Sequence, residues 1–527
     1  MLRRQILTPE YWSHSLKITD EDIEYLFSVM LEEELPLDIR RMVRLLIEHR
    51  VRQEEDSWRR HLKEGTLFQP KAHYEVGQKL VFPAFGFALG KVVGVRPGSN
   101  PEYGDFTVIQ VEFPGGLRRE FASDLKIPHA LDLNNGNASL DELLEPVEIE
   151  PLEQAYGDAL AQELEERLSV IDDVAYAGGL WFLKSLLPTI DKGHTNLAEA
   201  LLDMNGGGPL APEDILPILD LPTEVNPRLQ AFALNCALYN DNRFDEVGSA
   251  GLVRWYLRRL EPEEVQRTPE RLIYERIPYD RSLLTPDDLA LEAEIGDEHS
   301  ELPAVTEPID RVTITLNYPH RRCGTLPLTA GLSAMLPTAY EAERILITFI
   351  DGITGDKYTG WVVRAGRYVC GLERFYRKHK LPVGAVLQIQ TTGQAGQFQI
   401  SFDGYRPRTE WIILVEPRGG RLGFVNQRRL IGAAYDQLMV LGADDLEGID
   451  AVWRTVRDQK RSLIEIIRDI LPELARLNPQ AAVHAKTVYS AVNVVRRCPP
   501  GPILAALEAQ PEFTHVGGHY WRYTRGA

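Results

Sequence analysis

Hydrophobic residues follow two different spacings along the chain, and the change of spacing separates helical from strand-rich stretches. Residues 19–66 carry apolar side chains at helical intervals, such as Ile23, Leu26 and Met30, behind a capping oxygen at Thr19. Over 74–126 the period changes to four short β-rich runs, KLVF, GKVVGV, FTVIQVEF and LRREF, which are separated by glycine turns. The pattern predicts helices first and then a small β-barrel.

This predicted barrel contains recognisable short segments. They are Val76–Val81, Phe85–Gly86, Gly90–Val93 and Val111–Gly116. Together they resemble the small Tudor-like barrels attached to bacterial helicases and transcription-repair factors. The resemblance implies a binding module, which in those relatives often contacts RNA polymerase or nucleic acid. A plain structural spacer is the alternative interpretation of the same residues.

Two distant segments end alike. One reads FDEVG from Phe244 with Trp255 beyond it, and the other reads FTHVG from Phe513 with Trp521 beyond it. Each follows three runs of helical spacing, and helix–helix–helix–hairpin is the order of a winged-helix unit. In a unit this small, large aromatic side chains supply much of the core, so we expect them to pin the hairpin onto the helices.

The C-terminal copy carries the clearer pattern, with HAKTVYSAV at 484–492 and ILAALEAQPEF at 503–513 before its hairpin. These residues resemble the winged-helix domain shared by the RNA polymerase delta subunit and some eukaryotic chromatin proteins. Its third helical run offers only Gln510, whereas a helix that reads base edges normally offers Arg, Lys, Asn or Gln. This unit therefore favours protein contacts, and the better DNA candidates nearby are Lys486, Arg496 and Arg497.

Charge is distributed unevenly within a chain of net charge -19. Residues 141–310 hold 37 Asp and Glu against 12 Lys and Arg, a net of -25. Residues 311–430 hold 8 Asp and Glu against 17 Lys and Arg, a net of +9. The basic block is suited to phosphates, and the acidic block to a basic partner or to repelling nucleic acid. We also considered that the acidic block folds over the basic one as an autoinhibitor.

The basic block has an ordered series of features. A proline-bounded start at Leu336 precedes the turn-containing strand ILITFIDGITGDKYTGWVV, then RYVCGLERFYRKHKL, then PVG before AVLQIQ. This order resembles the DNA-binding pseudobarrel of plant B3-type transcription factors and the effector domains of some restriction enzymes. Ala385 stands where that family usually has an acidic residue. The resemblance implies a pseudobarrel that holds DNA with two loop arms in the major groove.

Carried over by position, the first arm is the turn containing Arg364 and Arg367, and the second is FDGYRPRTEW. Arginine can meet phosphates or guanine edges bidentately, and further basic residues lie on or just after the short helix between the arms. A solvated charged face is the alternative. The candidate nucleic-acid-binding residues of the chain are Arg364, Arg367, Arg374, Arg377, Lys378, Lys380, Tyr405, Arg406, Arg408, Lys486, Arg496 and Arg497.

No catalytic pattern stands out. The chain has no GxxxxGK[ST], HExxH or GxSxG, and its four cysteines form no CxxC pair, so we predict no catalytic residues, no metal and no cofactor. His515 and His519 lack a third ligand for a metal. The opening residues contain no signal-peptide core, and no long apolar run occurs, so we expect a cytoplasmic protein without membrane contact.

The predicted fold class is multi-domain α+β, with a small β-barrel, winged-helix-like units and a β-pseudobarrel joined by helical and acidic linkers. The predicted domains are a helical N-terminal region (1–70), the Tudor-like barrel (71–128), an acidic linker and helix (129–170), a winged-helix-like unit (171–260), an acidic linker (261–305), the basic pseudobarrel (306–440) and a helix with the C-terminal winged helix (441–527).

The predicted function is non-enzymatic, transcription-associated binding of double-stranded DNA, with RNA polymerase or another protein as a further candidate partner. Two alternatives remain open at this point. One is a protein–protein adaptor that uses DNA-binding-type folds, which the acidity and the apolar third helix favour. The other is a restriction-type nuclease whose few carboxylates lie within the acidic block.

Overall fold

The computed structural model describes residues 5–9, 11–12, 17–100, 102, 104–127, 129, 147–249, 251–337 and 344–524. The described chain is mixed α+β and contains several separate sheets. Residues 130–146, which belong to the predicted acidic linker and helix (129–170), lie outside the described residues. By internal contacts the chain divides into two compact units, residues 1–189 with 222–236 and residues 190–221 with 237–527.

The α-helices are α1 (Asp20–Glu33), α2 (Ile39–Glu64), α3 (Ile149–Ser169), α4 (Lys192–Met204), α5 (Pro212–Ile215), α6 (Pro227–Tyr239), α7 (Glu263–Gln266), α8 (Pro286–Ile295), α9 (Tyr318–Cys323), α10 (Ala330–Met335), α11 (Glu373–Lys378), α12 (Leu446–Asp458), α13 (Leu463–Ala475), α14 (Ala485–Val495) and α15 (Pro500–Ala509).

The strands are β1 (Leu37–Asp38), β2 (Thr66–Leu67), β3 (Lys79–Phe82), β4 (Ala88–Pro97), β5 (Thr107–Glu112), β6 (Arg118–Ser123), β7 (Val174–Ala177), β8 (Leu180–Leu183), β9 (Phe244–Glu246), β10 (Trp255–Leu257), β11 (Arg311–Thr315), β12 (Leu326–Pro327), β13 (Arg344–Asp351), β14 (Lys357–Val363), β15 (Tyr368–Cys370), β16 (Val386–Thr391), β17 (Gln397–Ser401), β18 (Gly404–Arg418), β19 (Arg421–Ala433), β20 (Leu441–Ala443), β21 (Val483–His484), β22 (Phe513–His515) and β23 (Tyr520–Tyr523).

The N-terminal helices begin where the capping pattern predicts. The Thr19 hydroxyl accepts a hydrogen bond from the Asp22 N–H at 3.2 Å, and the Asp22 carboxylate accepts one from the Thr19 N–H at 2.9 Å, which closes a capping box. Asp22 is also buried against Arg50 of α2, with 2.8 Å between their charged groups. A buried carboxylate of this kind needs such a partner, so the pair holds α1 against α2.

The four predicted strands of 74–126 are present and form one sheet. It has the order β2-β3-β4-β5-β6, and β3 to β6 are an antiparallel meander. Phe68, Leu80, Phe82, Val92 and Val111 form its buried core. The short β-rich runs between glycine turns gave the strand signal. The Tudor-like identity of this sheet stays a prediction.

Three segments of the chain share one topology. In each, a helix is followed by one or two residues that pair as a short strand, then by further helices, and then by a hairpin. In each, a tryptophan on the second hairpin strand pairs with the short segment that follows the first helix. The pairs are Leu37 with Trp181, Leu210 with Trp255, and Val483 with Trp521. All three indole rings are buried. We call these segments the first, second and third copies, and their hairpins the first, second and third tryptophan hairpins.

The sequence predicted the second and third hairpins but not the first. In the first copy the whole β2–β6 sheet lies between α2 and α3, so the order helix–helix–hairpin is interrupted by strand-rich sequence. The first and third hairpins turn at a Gly-Gly pair with positive φ, Gly178-Gly179 and Gly517-Gly518. Side chains other than glycine are strained in that region, so the double glycine was a usable signal.

In the third copy, α15 is mostly covered by other parts of the second unit. Most of α15, the helix that would read DNA in a winged-helix unit, is buried. A β-carbon added at Gly501 would lie 2.5 Å from the Tyr279 hydroxyl and 2.9 Å from a carboxylate oxygen of Glu292 on α8. The apolar composition of α15 therefore reflects packing against the segment 279–295, as its lack of basic residues indicated.

Residues 261–305, predicted as an acidic linker, are packed into the second unit. Leu284 and Leu291 lie in the same buried core as Ile467, Val488 and Trp521. Several of the acidic side chains here have local structural roles. For example, Asp288 closes a capping box with Thr285 at the start of α8. Composition showed the charge of this segment but not that its few apolar residues are buried.

The basic block forms a seven-stranded sheet, in the order β11-β16-β17-β13-β14-β15-β12, which curls into a nearly closed barrel. Its core contains Ile345, Phe349, Val362, Phe375 and Ile389. Beyond it, β18 and β19 pair antiparallel over most of their length, from Arg408 opposite Ile431 to Arg418 opposite Arg421. The barrel-like sheet agrees with the coarse prediction of a β-rich basic domain, while the B3-type family assignment stays a prediction.

We expect His484 to make the stability of the third copy depend on pH. Its Nδ1 accepts a hydrogen bond from the Lys486 N–H at 3.1 Å and caps α14. Burial, and then the neighbouring His519 and Lys486, lower the pKa of His484 from 6.5 to about 4, against the opposing pull of Asp436 and Glu294. Because a protonated imidazole cannot accept this bond, the stabilisation is complete above pH 6.5 and is lost as the pH falls towards 4.

We therefore expect the urea midpoint of the second unit to fall between pH 6.5 and 4 more steeply in the wild type than in His484→Asn. Asparagine caps a helix without titrating, and the carboxylates that also titrate are common to both proteins. The measurement is urea denaturation followed by circular dichroism at several pH values. Parallel curves for the two proteins would show that His484 does not contribute.

Candidate nucleic-acid interface

The first predicted arm, the turn between β14 and β15, is bound within the protein. The Arg364 guanidinium donates to the Ser333 hydroxyl at 3.1 Å and to the carbonyls of Leu336 and Pro337 at 3.1 and 2.9 Å. Burial lowers the pKa of Arg364 from its usual value. Arg367 remains exposed but donates one hydrogen bond to the Glu298 carbonyl at 3.0 Å. This turn therefore offers less to an outside ligand than its sequence suggested.

The short helix α11 divides its basic residues between the surface and the protein. It buries Phe375 and Tyr376, and its Lys378 ammonium donates to the Thr354 hydroxyl at 2.6 Å and also contacts Asp356. Arg377 pairs with Glu373 one turn away. The side chains of Arg374 and Lys380 are exposed and have no hydrogen-bond or ion-pair partner within the described part of the chain. These last two are free for phosphates.

The second predicted arm is the start of β18. Arg406 and Arg408 lie on its exposed part, where the register with β19 shifts between Gly404 and Arg408. Arg408 lies over the Tyr405 ring, 4.8 Å from its centroid, and pairs with Glu410. Arg406 has no hydrogen-bond or ion-pair partner in the described ranges. This arm therefore presents two arginines to solvent.

Sequence analysis missed the apolar part of the same hairpin. Trp411 is 66% exposed and Leu430 is 70% exposed, unusually high values for such large apolar residues. Trp411 lies opposite Arg428, and Thr409 opposite Leu430, so the four side chains share one face of the hairpin. The Arg428 guanidinium lies over the indole, 5.8 Å from the ring centroid. We call these four residues the hairpin face.

The sequence around Trp411 does not show which side of the strand is exposed. Ile412 and Leu414 are buried, and a strand alternates its faces at every residue, so Trp411 and Ile413 must lie on the opposite side. The apolar run WIILV hid this alternation, since a continuous apolar run gives no period. Only the pairing with β19 shows that the opposite side is open to solvent at Trp411.

The helix α11 and the hairpin are joined through Phe402, two residues before β18. Its ring contacts Phe375 and His379, with centroids 6.2 and 5.0 Å apart. The His379 ring also meets the Asp351 carboxylate at 2.7 Å. Burial opposes ionisation of Asp351, but hydrogen bonds from His379 and from the Ile353 and Thr354 groups hold its pKa well below the usual range. The base of the hairpin is thus fixed beside α11.

The three C-terminal candidates lie elsewhere and are largely occupied. Lys486 is buried between Glu294 and Asp436, at 2.6 and 2.9 Å. Arg497 is buried between Asp297 and Glu298, at 2.7 and 2.6 Å. Arg496 donates to the Arg461 carbonyl at 2.5 Å and lines a separate cleft. We therefore leave Lys486 and Arg497, together with Arg364, out of the interface.

The acidic block contacts the basic one through individual ion pairs. Arg344 of β13 meets Glu261 at 2.8 Å and Asp245 at 3.3 Å. These contacts lie at the first residue of β13 and involve none of the hairpin-face residues. Within the described residues, no group of three or more His, Cys, Asp or Glu side chains is arranged to hold a metal ion. No helix among them is long and apolar enough to cross a membrane.

Comparison with known proteins returned no matching family model, no matching curated protein and no matching solved structure.

Proposed function

We propose that this chain binds double-stranded DNA through the hairpin formed by β18 and β19, with α11 as a phosphate contact beside it. The observation that carries the proposal is the hairpin face, an exposed Trp411 with Arg428 over its ring, on the same strand as Arg406 and Arg408. A two-stranded β-ribbon fits the major groove of B-DNA, and arginine is the residue most often used to read guanine there.

Charge supports the same assignment. The chain as a whole repels nucleic acid, with a net charge of -19, so DNA binding requires a locally basic and exposed surface. The side chains of Arg374, Lys380 and Arg406 are exposed and have no hydrogen-bond or ion-pair partner among the described residues. Their guanidinium and ammonium groups can release counterions from the phosphates without breaking an internal pair.

The test is binding of a fluorescent DNA duplex by the full chain, measured by anisotropy at about 50 mM and about 200 mM NaCl. We expect Arg406→Ala/Arg428→Ala to weaken binding about tenfold or more and to reduce the salt slope by about 2, since two arginine contacts are lost. The matched control is Arg418→Ala/Arg421→Ala, at the other end of the same hairpin, which removes the same charge.

Equal losses in the two variants would show that only total charge matters and would overturn the assignment to this hairpin. Absence of wild-type binding at the lower salt concentration would overturn DNA binding itself. The second candidate function, a protein–protein adaptor, would then be favoured, because exposed Trp and Arg side chains next to each other are typical of protein-binding hot spots.

A further inference from the structure

A concave basic cleft lies away from the hairpin, within the second unit. It has a volume of about 500 Å³ and is formed by the segment 267–275, the end of α12 with the residues after it, and residues 495–497. Its basic side chains are Arg267, Arg457, Lys460, Arg461 and Arg496, with the buried Arg497 beneath them. We call this the basic cleft.

Positive charge exceeds negative charge in the basic cleft. Five basic side chains other than Arg497 line it, against the two carboxylates Glu270 and Glu275. Some of this charge is paired: Arg457 meets Glu270 at 2.9 Å, and Arg461 meets Asp469 at 2.7 Å. Arg267 and Lys460 have no side-chain partner in the described residues. Basic side chains from three separate segments converge here, so the C-terminal end of α12 alone does not account for the positive charge.

The cleft is built rather than formed by chance from mobile surface groups. The Trp453 ring lies between two guanidinium groups, those of Arg271 and Arg457, at 4.8 and 4.7 Å from its centroid. Arg271 is itself fixed by a hydrogen bond to the Val494 carbonyl at 2.9 Å. Arg457 is thus held in place although half exposed, which lowers the entropy cost of using it to bind a ligand.

Arg497 fixes one wall of the basic cleft. Its side chain is 1% exposed, and its guanidinium is held by Asp297 and Glu298 at 2.7 and 2.6 Å. Arg496 beside it also lines the cleft and is held by its hydrogen bond to the Arg461 carbonyl at 2.5 Å. The basic groups of the cleft therefore stand on a fixed wall. Phosphate oxygens are acceptors that match the fork of an arginine.

We propose that the basic cleft binds the di- or triphosphate group of a small ligand of the nucleoside phosphate class. A single carboxylate would not require cations on three sides, whereas a polyphosphate chain presents oxygens in several directions. The volume falls within the range of small-ligand sites. The site is separate from the hairpin face and does not depend on DNA binding there.

The test is isothermal titration of the full chain with inorganic tripolyphosphate and with ATP. We expect both to bind, and we expect Arg267→Ala/Lys460→Ala to weaken binding about tenfold or more, because each lost contact is a charge-assisted hydrogen bond. Neither residue has an internal side-chain partner to lose, so the fold should be retained. The matched control, Arg454→Ala/Arg476→Ala, removes two exposed arginines outside the cleft and should bind as the wild type does.

Two further comparisons separate the sources of the phosphates. Tighter binding of ATP than of tripolyphosphate supports a nucleotide, and equal binding supports recognition of the polyphosphate alone. A 5′-triphosphorylated oligonucleotide that binds more tightly than both, and more tightly than its 5′-hydroxyl form, would show that the ligand is the end of a strand and not a small molecule.

No binding at millimolar tripolyphosphate, or equal losses in both double variants, would overturn the site. Duplex binding through the hairpin is expected to survive in the cleft variant, so failures of the two proposals are distinguishable.

Discussion

Replacing Arg497 by methionine is expected to lower the free energy of unfolding of the second unit by about 3–5 kcal/mol. The guanidinium lies 2.7 Å from Asp297 and 2.6 Å from Glu298, and all three side chains are almost completely buried. Asp297 also accepts from the Tyr489 hydroxyl at 2.6 Å, and Glu298 meets the His320 ring at 2.9 Å. Without the arginine, two buried carboxylates lose their counter-charge.

The measurement is amide hydrogen exchange of the peptides from α14, which is buried along its length. The matched control, Arg374→Met, removes an exposed arginine that has no partner and should change stability by about 0.5 kcal/mol or less. If the single variant fails to fold, adding Asp297→Asn and Glu298→Gln should restore part of the stability, because no buried charge is then left unpaired. An Arg497→Met protein as stable as the control would contradict this account.

The second large effect is expected at Trp521. Its replacement by alanine should cost about 3–5 kcal/mol, since the indole is 2% exposed and its removal leaves a cavity. The residue also pairs with Val483, which joins the hairpin to the strand before α14. The same position is occupied by Trp181 and Trp255 in the other two tryptophan hairpins.

Trp411→Ala is the matched control for this substitution, because it removes the same side chain from an exposed site. Its stability should stay within about 0.5 kcal/mol of the wild type. The check is urea denaturation of both variants followed by circular dichroism. A small loss for Trp521→Ala, or losses of equal size in the two variants, would show that the hairpin tryptophans do not anchor the repeated unit.

Several elements of the fold could be predicted from local sequence because their determinants are local. The capping oxygens at Thr19 and the helical spacing after it locate α1, and the glycine turns over 74–126 locate β3 to β6. The hairpins at Phe244 and Phe513 were also predictable, because their strands and turns lie close together in the sequence. From the sequence, the tryptophan that both hairpins contain was visible only as a similarity between two segments, without its pairing partner.

Tertiary structure decided which basic residues of the candidate interface are free. Arg364 and Arg406 look equivalent in the sequence, yet carbonyl groups near Leu336 occupy the first, and the second is exposed without a partner among the described residues. The basic cleft combines segments that are nearly two hundred residues apart, and no local pattern relates Arg267 to Lys460. Long-range packing creates such sites.

The sequence by itself determined the mixed α+β class, the alternation of helical and strand-rich stretches, and the separation of acidic from basic blocks. These follow from periodicity and charge, which act over a few residues. Tertiary structure alone decided that Arg497 is buried in an ion-pair network, that Trp411 is open to solvent, and that the first tryptophan hairpin belongs with the other two. Each of these depends on what lies opposite a residue in space, which is fixed by strand register and by the closing of distant segments on one core.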